Sequence, residues 1–107
     1  LVFSNLIDNA VSHHDKDTGT ISVSFHETDE DYTFRVVDDG PGIVEEYRER
    51  VFDMFKKLEG RDETEGSGLG LSTVRKIVSL WGGRVWIDAN ENDRGICVSF
   101  VWPKLLL

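Results

Sequence analysis

The 107-residue chain is poor in cysteine and in basic residues, and it has no long hydrophobic run. A single cysteine, Cys97, cannot form a disulfide within the chain, which favours a reducing cytoplasmic compartment. No apolar stretch approaches the ~20 residues of a membrane-spanning helix, although a longer protein could carry an anchor elsewhere. The formal net charge of −8 repels nucleic acid and anionic membranes. We therefore expect no nucleic-acid partner and no membrane contact by this segment.

Length and composition indicate one domain over residues 1–107. A hydrophobic content of 39% and a charged content of 30% are usual for a globular domain with one core. The sequence begins inside a helical pattern and without an initiator methionine. We therefore expect it to be a fragment of a larger protein.

Hydrophobic periodicity predicts two helices and two strand hairpins. The helices are predicted over residues 2–14 and 70–81, and the strands over residues 20–25, 32–37, 84–89 and 95–102. A short helical stretch at residues 44–55 and a long polar loop lie between the hairpins. This order predicts an α+β fold, a two-layer sandwich with helices on one face of a mixed, largely antiparallel sheet. The predicted core comprises Phe3, Ile7, Val23, Phe34, Val36, Ile77, Val85, Ile87, Val98 and Phe100.

Three short motifs each allow two interpretations. "DDGPGI", residues 38–43, follows a predicted strand and is either a tight turn or a ligand-binding kink. "EGSGLGLS", residues 65–72, opens a helix and is either a flexible loop or a phosphate cradle, because glycines let backbone N–H groups approach an anion. Asn5 and Asn9 share one polar helix stripe, which alone is typical of a solvated surface.

The combination of these motifs is specific. Asn-x-x-x-Asn, Asp-x-Gly-x-Gly, Phe-x-x-Phe and Gly-x-Gly-x-Gly, in that order, resemble the N, G1, F and G2 boxes of the ATP-binding domain of sensor histidine kinases. That fold is shared with gyrase, the heat-shock chaperone and the mismatch-repair ATPase. The resemblance covers essentially the whole chain, and the lid sequence from residue 56 is similar to phytochrome-like and PAS-linked members. The resemblance implies a Bergerat-type fold, and this sequence would lack the strand with which that fold usually begins.

The resemblance implies a site for ATP and Mg²⁺. Asp38 would accept a hydrogen bond from the adenine amino group, and Gly40 and Gly42 would let the backbone pass beside the purine. Asn9 would bind the metal, and Asn5 would be the catalytic residue that helps to hold the hydrated metal and the phosphates. The implied nucleotide-binding residues are Asn5, Asn9, His13, Asp38, Gly40, Gly42, Ile43, Lys57, Gly66, Gly68, Leu69, Gly70 and Leu71.

Other residues near these motifs receive plainer interpretations. His13 matches a position that flanks the adenine, whereas His14 and His26 are interpreted as structural or surface residues. Asp39 is interpreted as a turn carboxylate. Ser12 stands where many members have a phosphate-contacting lysine, and a neutral hydroxyl makes a weaker contact than a charged group.

The implied function is that of the catalytic domain of a two-component sensor kinase. It would supply the γ-phosphoryl group to a histidine in a separate dimerisation domain, and would act on a response regulator indirectly. Asn5 stands where ATP-hydrolysing relatives have a glutamate general base, which argues for phosphoryl transfer. Two alternatives stay open: a degenerate interaction module weakened at Ser12, and an ATPase or serine kinase of the same fold.

Overall fold

A computed structural model describes residues 2–53, 69–90 and 94–104 of the chain. It has two α-helices, two short 3₁₀ turns and four strands. In chain order these are α1 (Val2–Ser12), β1 (Ile21–Glu27), β2 (Asp31–Asp38), the 3₁₀ turns Glu45–Tyr47 and Arg50–Phe52, α2 (Leu69–Leu80), β3 (Val85–Ala89) and β4 (Ile96–Pro103).

The four strands form one sheet in the order β1-β2-β4-β3, and every pairing among them is antiparallel. Phe34 of β2 lies opposite Phe25 of β1 and Phe100 of β4, so these three side chains share one face. The core cluster joins Phe100 with side chains of both helices, which therefore cover that face. The predicted two-layer sandwich is confirmed.

The core lies between the helices and the two central strands. Leu6 of α1 and Val74 and Val78 of α2 are buried against Val36 and Val98 of the sheet. Of the predicted core, Val36, Ile87, Val98 and Phe100 are buried, and Phe3, Phe34 and Val85 are half-buried and packed against them.

One core prediction was wrong, and two fell next to the buried position instead of on it. Val23 is 50% exposed, because it lies on strand β1 at one edge of the described sheet, away from the helices. Ile7 and Ile77 are only half-buried, since the inward faces of the helices are centred on their neighbours Leu6 and Val78. Helical spacing identifies a face but locates its centre only to within about one residue.

The element boundaries differ modestly from those predicted. Helix α1 ends at Ser12 rather than at residue 14, and α2 ends at Leu80, followed by Gly82 with φ of +89°. The helical stretch predicted at residues 44–55 is two 3₁₀ turns where the structure describes it, with Phe52 buried. The predicted polar loop lies outside the described residues. In the described part of the chain, no helix is long and apolar enough to span a membrane.

Val36 and Val23 are cross-strand partners of the same residue type, which makes them a matched pair for testing the core. Val36 is 2% exposed, so Val36→Ala should lower the free energy of unfolding by about 2 kcal/mol, through lost burial and the cavity it leaves. Val23→Ala should cost under about 1 kcal/mol. Denaturant unfolding measures both, and equal losses would contradict this description of the core.

Candidate functional site

Asp38 is the last residue of β2 and the one buried charged side chain among the described residues. Only 8% of its surface is exposed. Its Oδ1 accepts a hydrogen bond from the Gly40 N–H at 2.9 Å, whereas Oδ2 has no hydrogen-bond partner among the described residues. A buried polar atom without a partner is costly. The second oxygen is therefore suited to a donor that a ligand brings.

The turn after Asp38 brings the backbone close to the β3–β4 hairpin. Gly42 has φ of +85°, and a β-carbon there would lie 3.6 Å from the carbonyl oxygen of Gly95. Ile43 packs partly against the core, and its carbonyl accepts a hydrogen bond from Arg48 Nε at 3.0 Å. The backbone of residues 38–43 thus runs close to the backbone of the β3–β4 hairpin. The hydrogen bond from Arg48 fixes its last residue, Ile43.

The hairpin itself clamps the Asp38 backbone. A β-carbon at Gly95 would lie 2.0 Å from the Asp38 carbonyl oxygen, so any larger residue would force the two segments apart. Asn90 Nδ2 donates to that same carbonyl at 3.1 Å, and Arg94 Nε donates to the Asp39 carbonyl at 2.8 Å. The sequence analysis missed both residues. The only sign of these two residues in the sequence was a polar turn, ending in glycine, between the last two predicted strands.

Helix α1 brings the amide stripe to the start of α2. Asn5 and Asn9 are half-buried, and a β-carbon at Gly70 would lie 3.9 Å from Asn5 Oδ1. The first four N–H groups of a helix have no acceptor within it, and they favour an anion. The Asn5 side chain thus lies near Gly70, close to Leu69, the first described residue of α2. The Leu71 side chain is itself buried in the core.

The two adjacent histidines at the end of α1 differ in environment. His13 is exposed and its Nδ1–H donates to the Asn9 carbonyl at 3.0 Å. The His14 side chain is 11% exposed and lies with Nε2 at 2.8 Å from Asp39 Oδ1. Sequence reasoning treated His14 and Asp39 separately and missed this pair, because 25 residues separate them.

Asp39 Oδ1 accepts a second hydrogen bond from the Thr20 N–H at 3.0 Å. That N–H, with the His14 ring second, holds the pKa of the Asp39 carboxyl below its usual range. Asp39 is thus an anchoring carboxylate between two loops, and more than the simple turn residue that was predicted. The predicted site residues Lys57, Gly66 and Gly68 lie outside the described residues, as does the Leu69 side chain.

Comparison with known proteins identifies the fold. The family model for histidine kinase-, DNA gyrase B-, and HSP90-like ATPases matches residues 1–106. The mycobacterial sensor histidine kinase MprB superposes with a TM-score of 0.80 at 28% identity, covering 95% of this chain and 67% of that one. The catalytic domain of histidine kinase ThkA gives 0.80 at 34% identity, covering 96% of this chain and 64% of that one.

Curated relatives agree with these structures. The adaptive-response sensory kinase SasA of Gloeothece citriformis (strain PCC 7424) is 40% identical over 103 residues, which is 95% of this chain. The chain spans 26% of the length of that relative. Motif order, fold and relatives coincide, and the chain belongs to the histidine kinase-, DNA gyrase B-, and HSP90-like ATPase family, as an ATP-binding catalytic domain of the sensor histidine kinase kind.

Proposed function

We propose that this chain binds Mg-ATP at the end of β2 and between α1 and α2, and presents the γ-phosphoryl group to a histidine on a separate dimerisation domain. Membership of the family supports nucleotide binding, and we propose the roles of the individual residues and the bound Mg²⁺ in addition. We further propose a cytoplasmic location, with a response regulator as the downstream partner. ThkA, 30% identical to this chain, has been crystallised in complex with the response regulator protein TrrA, which supports that partner class.

The observation that carries the proposal is the half-satisfied carboxylate of Asp38. One oxygen is held by Gly40, and the other has no hydrogen-bond partner among the described residues. The adenine amino group is a donor of the required kind. A hydrogen bond to a charged acceptor contributes about 1.5–3 kcal/mol, roughly tenfold or more in affinity. In the proposed site, the backbone at Gly40 and Gly42 would run beside the base.

The phosphates would lie toward the start of α2. The Asn5 amide lies near Gly70 at the start of α2. In the proposed site, this amide and the first N–H groups of α2 would together provide hydrogen-bond donors and a favourable partial charge. Asn9, one turn after Asn5, would supply a neutral amide oxygen, a ligand type that Mg²⁺ accepts. Bound Mg²⁺ neutralises phosphate charge during transfer. The side chains of Asn5 and Asn9 therefore fit bound Mg-ATP.

Asn5 favours phosphoryl transfer over hydrolysis. A carboxamide has no basic lone pair with which to activate water, so it orients groups without acting as a general base. Positioning and charge stabilisation are what phosphoryl transfer mainly requires. An ATPase or a serine kinase of the same family remains the second candidate, because the family includes enzymes named as ATPases.

Asp38→Asn should lower the affinity for a non-hydrolysable ATP analogue about tenfold or more. The Gly40 N–H will keep the new amide oxygen at the Oδ1 position, so the NH₂ group replaces Oδ2 and faces the adenine donor with another donor. Calorimetric titration of the 107-residue chain, with and without Mg²⁺, measures this.

Asp29→Asn is the matched control for that experiment. Asp29 is exposed in the turn between β1 and β2, at the opposite end of β2, so it changes the net charge equally without touching the site. It should leave the affinity within about twofold. Equal losses in the two variants, or no saturable binding by the folded parent chain, would contradict the proposed function.

Ser12→Lys should strengthen nucleotide binding. Ser12 is exposed at the end of α1, where its hydroxyl donates to the Asn9 carbonyl at 3.3 Å and brings no charge. A lysine would add a charge-assisted phosphate contact, raising affinity by about threefold to tenfold at low salt and less at high salt. Ser12→Gln, long but neutral, is the control. An equal gain from glutamine, or a lysine gain that salt does not reduce, would refute a phosphate contact at this position.

The reaction type is tested in the full-length protein that contains this chain and its phosphoacceptor domain. With radiolabelled ATP, we expect a protein-bound phosphate that is lost in acid and kept in alkali, as for a phosphohistidine. An acid-stable label would indicate a serine kinase. Release of free phosphate without a protein label would indicate an ATPase.

A further inference from the structure

The hydrogen-bond partners of the His14 ring favour one tautomer. The Lys16 backbone N–H donates to Nδ1 at 3.1 Å, so Nδ1 acts as an acceptor. The proton is then on Nε2, which donates to Asp39 Oδ1 at 2.8 Å. The carboxylate of Asp15 lies 3.8 Å from Nδ1 and completes the charged surroundings of the ring.

The ring contacts the loop that holds Asp38. A β-carbon at Gly40 would lie 3.6 Å from His14 Cδ2, and the Gly40 N–H is the group that fixes Asp38 Oδ1. A β-carbon at Gly19 would lie 2.3 Å from His14 Nε2. The loop between α1 and β1 therefore passes close to the His14 ring at Gly19, and the turn after β2 passes close to it at Gly40.

The hairpin holds the same loop from the opposite direction. Arg94 donates to the Asp39 carbonyl and forms an ion pair with Asp15, next to His14. The hydrogen bonds that the Arg94 guanidinium donates to the Asp15 carboxylate hold the pKa of Asp15 below its usual range. Three segments thus meet around residues 38–40: the end of α1, the loop before β1 and the turn between β3 and β4.

We propose that His14 and Asp39 are positioning residues for nucleotide recognition: their hydrogen bond, tied by Arg94 to the β3–β4 turn, holds Gly40 and thereby fixes the orientation of the Asp38 carboxylate. This inference rests on the proposed ATP site. Neither residue touches the nucleotide. They act through Gly40, whose N–H sets which carboxylate oxygen is left for the base.

The test compares two ligands, a non-hydrolysable ATP analogue and purine riboside triphosphate, which lacks the 6-amino group. The parent chain should prefer the ATP analogue about tenfold or more. His14→Ala should lower affinity for the ATP analogue about tenfold and leave affinity for the des-amino ligand within about twofold. Asp39→Asn keeps an oxygen that can accept from His14 and Thr20, so it should retain most of the preference, whereas Asp39→Ala should lose it.

His26→Ala, which removes an exposed histidine of β1, is the matched control and should change neither affinity. Equal losses for both ligands, or a His14→Ala chain that is unfolded without nucleotide, would assign the pair to stability and overturn the inference. If Asp38→Asn behaves as predicted and His14→Ala keeps the full preference, this inference alone fails. If the parent chain has no preference for the amino group, the proposed function of Asp38 fails with it.

Discussion

The hydrogen bond from the Gly40 N–H to the buried Asp38 carboxylate is the contact on which the site depends. Asp38 ends a central strand, with β1 on one side and β4 on the other, so its backbone is held by the sheet. A carboxylate at 8% exposure must be satisfied or it destabilises the domain. The Gly40 N–H donates a hydrogen bond to only one of the two carboxylate oxygens, Oδ1. The sheet and the turn together present the other oxygen in a fixed direction.

That requirement explains the packing around the turn. The backbone of the β3–β4 hairpin reaches the Asp38 carbonyl only because residue 95 has no side chain, and its φ of +107° also suits glycine. Once there, Asn90 and Arg94 satisfy the carbonyls of Asp38 and Asp39, which would otherwise be unpaired at the end of the strand. The close approach of the two backbones therefore also brings in the side chains that hydrogen-bond these two carbonyls.

Local patterns in the sequence predicted much of the fold. Both helices, the four strands and the two-layer class follow from hydrophobic periodicity, and the order of four motifs indicated the family. Periodicity does not say which strand lies at an edge, so Val23 was placed in the core although its partner Val36 is the buried one. Strand order comes from tertiary packing, which apolar alternation does not encode.

The site was predictable where its chemistry lies within one motif, and not where it depends on distant residues. Asp38, Gly40 and Gly42 lie within six consecutive residues, so one motif was enough to suggest them. The His14–Asp39 contact joins residues 25 positions apart, and Arg94 lies 55 positions from Asp39. No spacing rule links such residues. They could be found only once the topology had placed the end of α1, the end of β2 and the β3–β4 turn side by side.

The two adjacent aspartates show how the backbone divides chemical roles. Asp38 is the last residue of β2 and continues the alternation that buries Val36, whereas Asp39 lies beyond the end of the strand and turns toward the loops. Asp39 is half-exposed, and its Oδ1 binds both His14 and Thr20. Asp38 is buried, and only Oδ1 has a partner among the described residues. The same side chain is thus an anchor at position 39 and, in the proposed site, a recognition group at position 38, because only Asp38 still belongs to the strand.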